Sequence, residues 1–149
     1  MKSLITASII IFGFQTLSAQ GKSEVYFSLA DYRWENRVVI IFGPAESDTR
    51  FSEQKSLIYP KGEGIDDRDL KIVTVVYNDE SKVDEHSITD ESAKNLRDRF
   101  DISDDQFAIL LIGKDGGEKL RSTDVIAPED LFSVIDRMPM RQREMRDGK

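Results

Sequence analysis

Val38-Val39-Ile40-Ile41-Phe42, stopped by Gly43-Pro44, is apolar at every position and mostly β-branched. A half-exposed strand alternates apolar with polar residues, so an unbroken run of this kind reads as a strand buried on both faces. Leu70-Lys71-Ile72-Val73-Thr74-Val75-Val76-Tyr77, rich in β-branched residues, reads as a second buried strand, and Phe107-Ala108-Ile109-Leu110-Leu111-Ile112 as a third, uninterrupted and apolar. Strands covered above and below need helices on both sides, and the segments between them carry helical signals.

After the first strand, Ser47 or Asp48 caps a helix on which Phe51, Gln54, Lys55 and Ile58 share a face, and Pro60 closes it. Lys61-Gly62-Glu63-Gly64 reads as a loop and 78–87 as a polar connection. Thr89 caps a second helix, with Asp90 and Glu91 in its first turn, Ala93, Leu96 and Phe100 along one side, and Ile88 placed to staple onto Ala93. Lys114-Asp115-Gly116-Gly117 is the turn of a tight hairpin into 118–122. Pro128 opens a helix carrying Leu131, Val134, Ile135 and Met138, which is expected to end before Pro139. Ahead of all this, 27–34 mixes aromatic and charged residues and reads as a packed lead-in with one helical turn. The order βαβαββα with a mixed sheet describes an α/β three-layer sandwich of thioredoxin-like order.

The amino end differs in kind. Lys2 precedes an uncharged, mostly apolar stretch from Leu4 to Leu17, and Leu17-Ser18-Ala19-Gln20 offers a cut after Ala19, or after Gln20. This is the form of an export signal, and it is too short for the ~20 residues that span a bilayer. The expected division is a signal peptide over 1–19, one domain over 20–137 and a basic Met- and Arg-rich tail over 138–149, with no membrane span once the signal is removed and a periplasmic or secreted product. The 149-residue chain has a net charge of -7, distributed unevenly. Residues 20–136 hold 15 Lys and Arg against 26 Asp and Glu, whereas 137–149 hold 5 against 2. An acidic body lacks the cations that release counterions from phosphates, which sets nucleic-acid binding aside.

Leu29-x-Asp31-Tyr32-Arg33 followed by Arg37-Val38-Val39-Ile40-Ile41-Phe42-x-Pro44 resembles the entry to the first core strand of exported thioredoxin-like and peroxiredoxin-like proteins. Asp115-Gly116-Gly117-x-Lys119-Leu120-Arg121, together with Asp136-x-Met138-Pro139-Met140-Arg141-x-x-Glu144-Met145, resembles the DUF4174 family. That family also occurs in animal extracellular-matrix proteins of the coiled-coil-domain-containing 80 and sushi-repeat kinds. The resemblance implies a thioredoxin-like fold and an extracellular setting, and it brings no enzymatic activity.

Thioredoxin relatives place their redox cysteines where the first strand meets its helix, because a helix amino end lowers a thiol pKa. Here that place reads Gly43-Pro44-Ala45-Glu46-Ser47-Asp48-Thr49-Arg50, and the chain has no cysteine at all. If Ser47 stands at the first cysteine position, Arg50 stands at the second, and neither forms a disulfide. The proline that precedes the third strand in that fold is missing as well, since Asp104-Asp105-Gln106 stands there. Ser47 as a nucleophile needs an adjacent base, and the single histidine, His86, lies in a polar stretch, so a helix cap is the expected role. His86 has no spaced partner for a metal, and the acidic runs 66–69 and 101–105 lack the alternating ligands of a calcium loop and read as solvated turns.

The candidate binding residues are Ser47, Asp48 and Arg50 at the strand–helix junction, Lys114, Asp115 and Arg121 around the hairpin, and Arg141 and Arg143 in the tail. Lys114 and Arg121 read either as hairpin geometry or as a cationic rim. The tail reads either as a partner-binding segment, with methionines that pack adaptably and arginines that engage carboxylates or phosphates, or as a segment folded back on its own acidic body. The expectation is a redox-inactive binding or interaction module with a protein or anionic partner, with no cofactor, no metal and no catalytic residue assigned. The alternative is a cysteine-independent enzyme with a site near Ser47. Oligomeric state is not legible.

Overall fold

In the computed structural model, which describes residues 23–148, the chain opens with a 3-10 turn, Leu29–Tyr32, and continues through β1 (Arg37–Gly43), α1 (Thr49–Ile58), a 3-10 turn (Tyr59–Lys61), α2 (Gly62–Asp66) and β2 (Leu70–Val76). Then come β3 (Lys82–Val83), β4 (His86–Ser87), α3 (Asp90–Phe100), β5 (Ala108–Ile112), β6 (Glu118–Ser122), α4 (Pro128–Asp136) and α5 (Pro139–Arg146). The expected leader over 1–19 lies outside the described residues. No helix among the described residues is long and apolar enough to cross a membrane.

The strands form one sheet ordered β4-β3-β2-β1-β5-β6. β1 pairs parallel with β2, Val39 opposite Ile72, and antiparallel with β5, Ile40 opposite Leu110. Central β1, flanked by a parallel strand on one side and an antiparallel hairpin on the other, is the thioredoxin-like arrangement that the order of elements predicts. Alternate residues of each strand enter different layers. Val38, Ile40 and Phe42 face Leu96 and Phe100 of α3, with Phe27 and Leu29 of the lead-in. Val39 and Ile41 face Phe51 and Ile58 of α1 and Leu131 and Ile135 of α4. Burying each such side chain contributes roughly 1.5–3 kcal/mol, so these two layers hold the scaffold.

Gly43 and Gly116 are demanded by geometry. A Cβ on Gly43 would lie 2.6 Å from the Phe51 ring, so α1 packs this closely only because β1 ends in glycine. Gly116, at φ +83°, makes the β5–β6 turn, as the Asp-Gly signal predicts.

Three segments differ from the sequence reading. The 62–66 stretch is helical rather than loop, because Gly64 lets the Phe132 ring approach to 2.7 Å of where its Cβ would be and α4 packs over it. The polar connection 78–87 contains β3 and β4, a two-residue ladder in which Val83 pairs with Val73 and His86. Its period was too short to register. Beyond α4, which ends at Asp136, the chain forms α5, and Pro139 starts this helix at a position where the missing N–H costs nothing.

Candidate functional site

The junction of β1 and α1, where thioredoxin-like proteins carry their chemistry, is closed by its own residues. Asp48 Oδ1 accepts the Phe51 N–H at 3.0 Å and caps α1, while Ser47 is exposed and makes no cap bond. The Glu46 carboxylate pairs with Lys55 Nζ at 2.5 Å, and the Glu46 N–H donates to Asp79 Oδ2 at 2.8 Å. The carbonyl ends of β1 and β2 are taken by Arg97, which is 5% exposed and donates to Gly43 O at 2.6 Å, Val75 O at 3.3 Å and Ser103 O at 2.9 Å. Burial pushes the Arg97 pKa down. Arg50 is exposed, with its guanidinium 5.2 Å from the centre of the Phe107 ring.

The other end of the sheet holds a buried ionic cluster. Arg37, the first residue of β1, is 1% exposed and grips Glu144 of α5 through two bonds of 3.1 and 3.2 Å. Lys114, just past β5 and 8% exposed, reaches the same carboxylate at 2.8 Å and Asp69 at 2.7 Å. Arg141, 3% exposed, bonds Asp67 through both its carboxylate and its carbonyl, and lies 3.3 Å from Asp136 and 3.7 Å from Glu144. Arg68 completes the set, with its guanidinium 4.4 Å from the Phe132 ring centre and a 2.6 Å bond to Asp136. Four cations thus meet four carboxylates at the point where β1, β2, β5, α4 and α5 converge.

Burial alone raises the Glu144 pKa, but the hydrogen bonds and charges of Arg37 and Lys114 outweigh it and hold the carboxyl below its ordinary value. Asp136 behaves alike: burial raises it, and Arg68 and then Arg141 pull it below the usual carboxylate range. Both stay ionised at neutral pH.

Above this cluster opens a groove of about 410 Å³ walled by Trp34, Met138, Pro139 and Met140, with Arg37, Gly113 and the Lys114–Lys119 turn completing it. Trp34 is 61% exposed and sits at φ +69°, a left-handed conformation that costs a bulky residue energy. Its N–H donates to Lys114 O at 2.6 Å, which fixes the strained turn to the cluster. Arg33 lies over the indole, 5.5 Å from its centre, and packs against Gly116.

The sequence candidates fall in separate places. Ser47, Asp48 and Arg50 stay at the closed junction. Lys114 and Arg141 enter the ionic cluster, and Asp115 lies on the groove turn, bonded to Lys119 at 2.7 Å and to the Gly117 N–H. Arg121 pairs with Glu118 at 2.8 Å and donates to Phe100 O, opposite Leu110 and away from Lys114's end of the hairpin. Arg143 is exposed and has no side-chain partner among the described residues. Asp67 and Asp69, read as parts of a solvated turn, instead hold buried cations. Trp34, Arg37, Arg68, Asp136 and Glu144 were not among the candidates; the available signal was an arginine directly preceding an apolar strand, and a Glu three residues after Arg141.

The model of DUF4174, a domain of unknown function, matches residues 28–144, from the lead-in through Glu144 of the cluster. Coiled-coil domain-containing protein 80 of Danio rerio is 26% identical over 133 residues, covering 78% of this chain and 15% of the relative. Sushi repeat-containing protein SRPX2 of Xenopus laevis is 27% identical over 114 residues, 74% of this chain and 25% of the relative, and SRPX2 of Bos taurus is 26% identical over 105 residues, 68% and 23%. The chain therefore spans a quarter or less of the length of these relatives. Among solved structures, a thioredoxin-fold protein from Helicobacter pylori aligns with a TM-score of 0.49 at 12% identity, over 83% of this chain and 85% of that one. With a family match that includes both the central sheet and the helix locked to its far end, the chain belongs to the DUF4174 family.

Proposed function

We propose that this protein is an exported, redox-inactive binding module that engages a partner through the end of the sheet bearing the ionic cluster. The observation that carries this reading is the junction of β1 and α1: it has no cysteine, its helix cap is filled by Asp48, and its strand-end carbonyls are occupied by Arg97. Thiol–disulfide exchange needs a thiolate, and the residues at this place offer none. Nor does Ser47 have a base bonded to it, so nucleophilic catalysis lacks its activating partner. The opposite end supplies what binding requires: a concave, largely apolar wall with fixed polar groups at its base. Export is supported by the charged start and apolar stretch over 1–19.

The test is to express the full chain in a bacterial host, recover the exported fraction, determine the mass of the mature protein, and screen it for thiol–disulfide, peroxidase and hydrolase turnover. The expected product starts at Gln20 and turns over none of the substrates. Retention of an uncut chain in the cytoplasm would remove the export claim, and a turnover lost in Ser47→Ala would make the junction a catalytic site.

A further inference from the structure

We propose that the groove beside Trp34 docks an acidic segment of another protein that carries one bulky apolar anchor, a Phe or Leu side chain. This rests on the reading of the chain as a binding module and names the chemistry of what it binds.

The walls argue for an apolar anchor. Trp34, the chain's single tryptophan, presents its ring to solvent from a backbone conformation that favours glycine. Strain of that kind persists where the surroundings impose it, and here the 2.6 Å bond to Lys114 O and the overlying Arg33 impose it. Facing the indole are Met138 and Met140, whose unbranched side chains mould to an inserted group, and Pro139, which adds a rigid apolar surface between them. A cavity of about 410 Å³ admits a large side chain together with the backbone that carries it. Exposed aromatic residues on a held, concave surface are the usual anchoring points of protein interfaces.

The charge argues for acidity in the rest of the segment. The chain as a whole carries -7, and of the groove's lining cations Lys119 pairs with Asp115 on the turn, while Arg37 and Lys114 are buried at the base. Glu144 and Asp69 offset the two buried cations from below. Around the rim, the Arg33 guanidinium lies over the indole with no carboxylate partner among the described residues, and Arg143, beside Met140 and Asp147, has no side-chain partner among them either. Two copies that each carry -7 repel one another as wholes, while cations on the rim attract a short segment of opposite charge, which is how charge selects partners. Arg37, 1% exposed, forms part of the groove's floor, and its buried Nε has no partner among the described residues.

Because Trp34 is the only indole, its emission reports on this groove alone. The full mature chain is titrated with a twelve-residue peptide that alternates Glu and Asp with Leu and Phe and contains no Trp, and with a counterpart in which every acid is replaced by Lys; calorimetry runs in parallel. The expected result is a saturable change in Trp34 emission with the acidic peptide only, weakening as salt is raised. Met140→Asp, whose fold is checked by circular dichroism, should lose at least about tenfold in affinity, equivalent to ~1.4 kcal/mol. Arg143→Gln with Lys119→Gln should lose about threefold, as rim charges do.

An equal response to the Lys peptide would overturn the charge argument. Calorimetric binding of the acidic peptide with Trp34 emission unmoved and Met140→Asp unaffected would overturn the groove while leaving the binding-module reading in place. Emission that instead shifts with protein concentration alone would identify a second copy as the occupant and likewise overturn the proposal. Failure of the binding-module reading is registered separately, by turnover in the activity screen.

Discussion

Glu144 is the carboxylate on which the buried cations converge, and its removal shows what the cluster is for. Ion pairs taken out of water are seldom better for stability than a well-packed apolar replacement, yet breaking one partner leaves the others charged and dry. Glu144→Gln keeps one acceptor oxygen but removes the negative charge that Arg37, Lys114 and Arg141 face and puts an amide NH2 against these cations, so a loss of about 3 kcal/mol in urea unfolding is expected. A loss below about 0.5 kcal/mol would mean that water reaches these cations. Little of this was legible in the residues themselves. Arg37 in front of Val38 looks like any charged residue that ends a strand, and Glu144 looks like one acid in a basic tail; only the fold brings positions 37 and 144 to bonding distance. Trp34 was legible as an aromatic residue but not as an exposed one, since its placement depends on a left-handed turn that no local pattern announces.

At the scale of elements, buried strands and capped helices were read correctly because their signals are local. Unbroken apolar runs identify β1 and β5, a mostly β-branched run identifies β2, and side-chain caps identify α1 and α3. Of the two residues offered as the cap of α1, Asp48 makes the bond and Ser47 does not. Asp48→Ala is therefore expected to cost about 1 kcal/mol of stability, and Ser47→Ala less than 0.5 kcal/mol on the same ordinary scale of surface changes. Thermal unfolding of the two variants beside the parent checks this; a larger loss for Ser47→Ala would assign that hydroxyl a role its exposure does not suggest. α5 was missed because its residues are polar nearly all round, and what holds it is Arg141 and Glu144 rather than an apolar stripe. The same element supplies Met140 and Pro139 to the groove, so the locked helix and the docking wall are one feature.

For the whole molecule, the cluster ties stability to pH in a defined direction. Glu144 and Asp136 have native pKa values below their ordinary 4.5 and 3.8, so in the acid range the unfolded chain binds more protons than the folded one. Their contribution is complete above those ordinary values and is lost as the pH falls through the lower native ones. Unfolding free energy measured from pH 7 downward should thus hold steady until about pH 5 and then decline, with a shallower decline in Glu144→Gln; parallel curves for the two proteins would separate Glu144 from acid stability. The proposed binding end of this domain lies at the start of β1, away from the junction that serves thioredoxin-like enzymes. Amide hydrogen exchange of the full mature chain, with and without the acidic peptide, tests that directly. Added protection is expected to be confined to residues 33–37, 113–119 and 138–144; protection centred on residues 44–51 would contradict binding at this end.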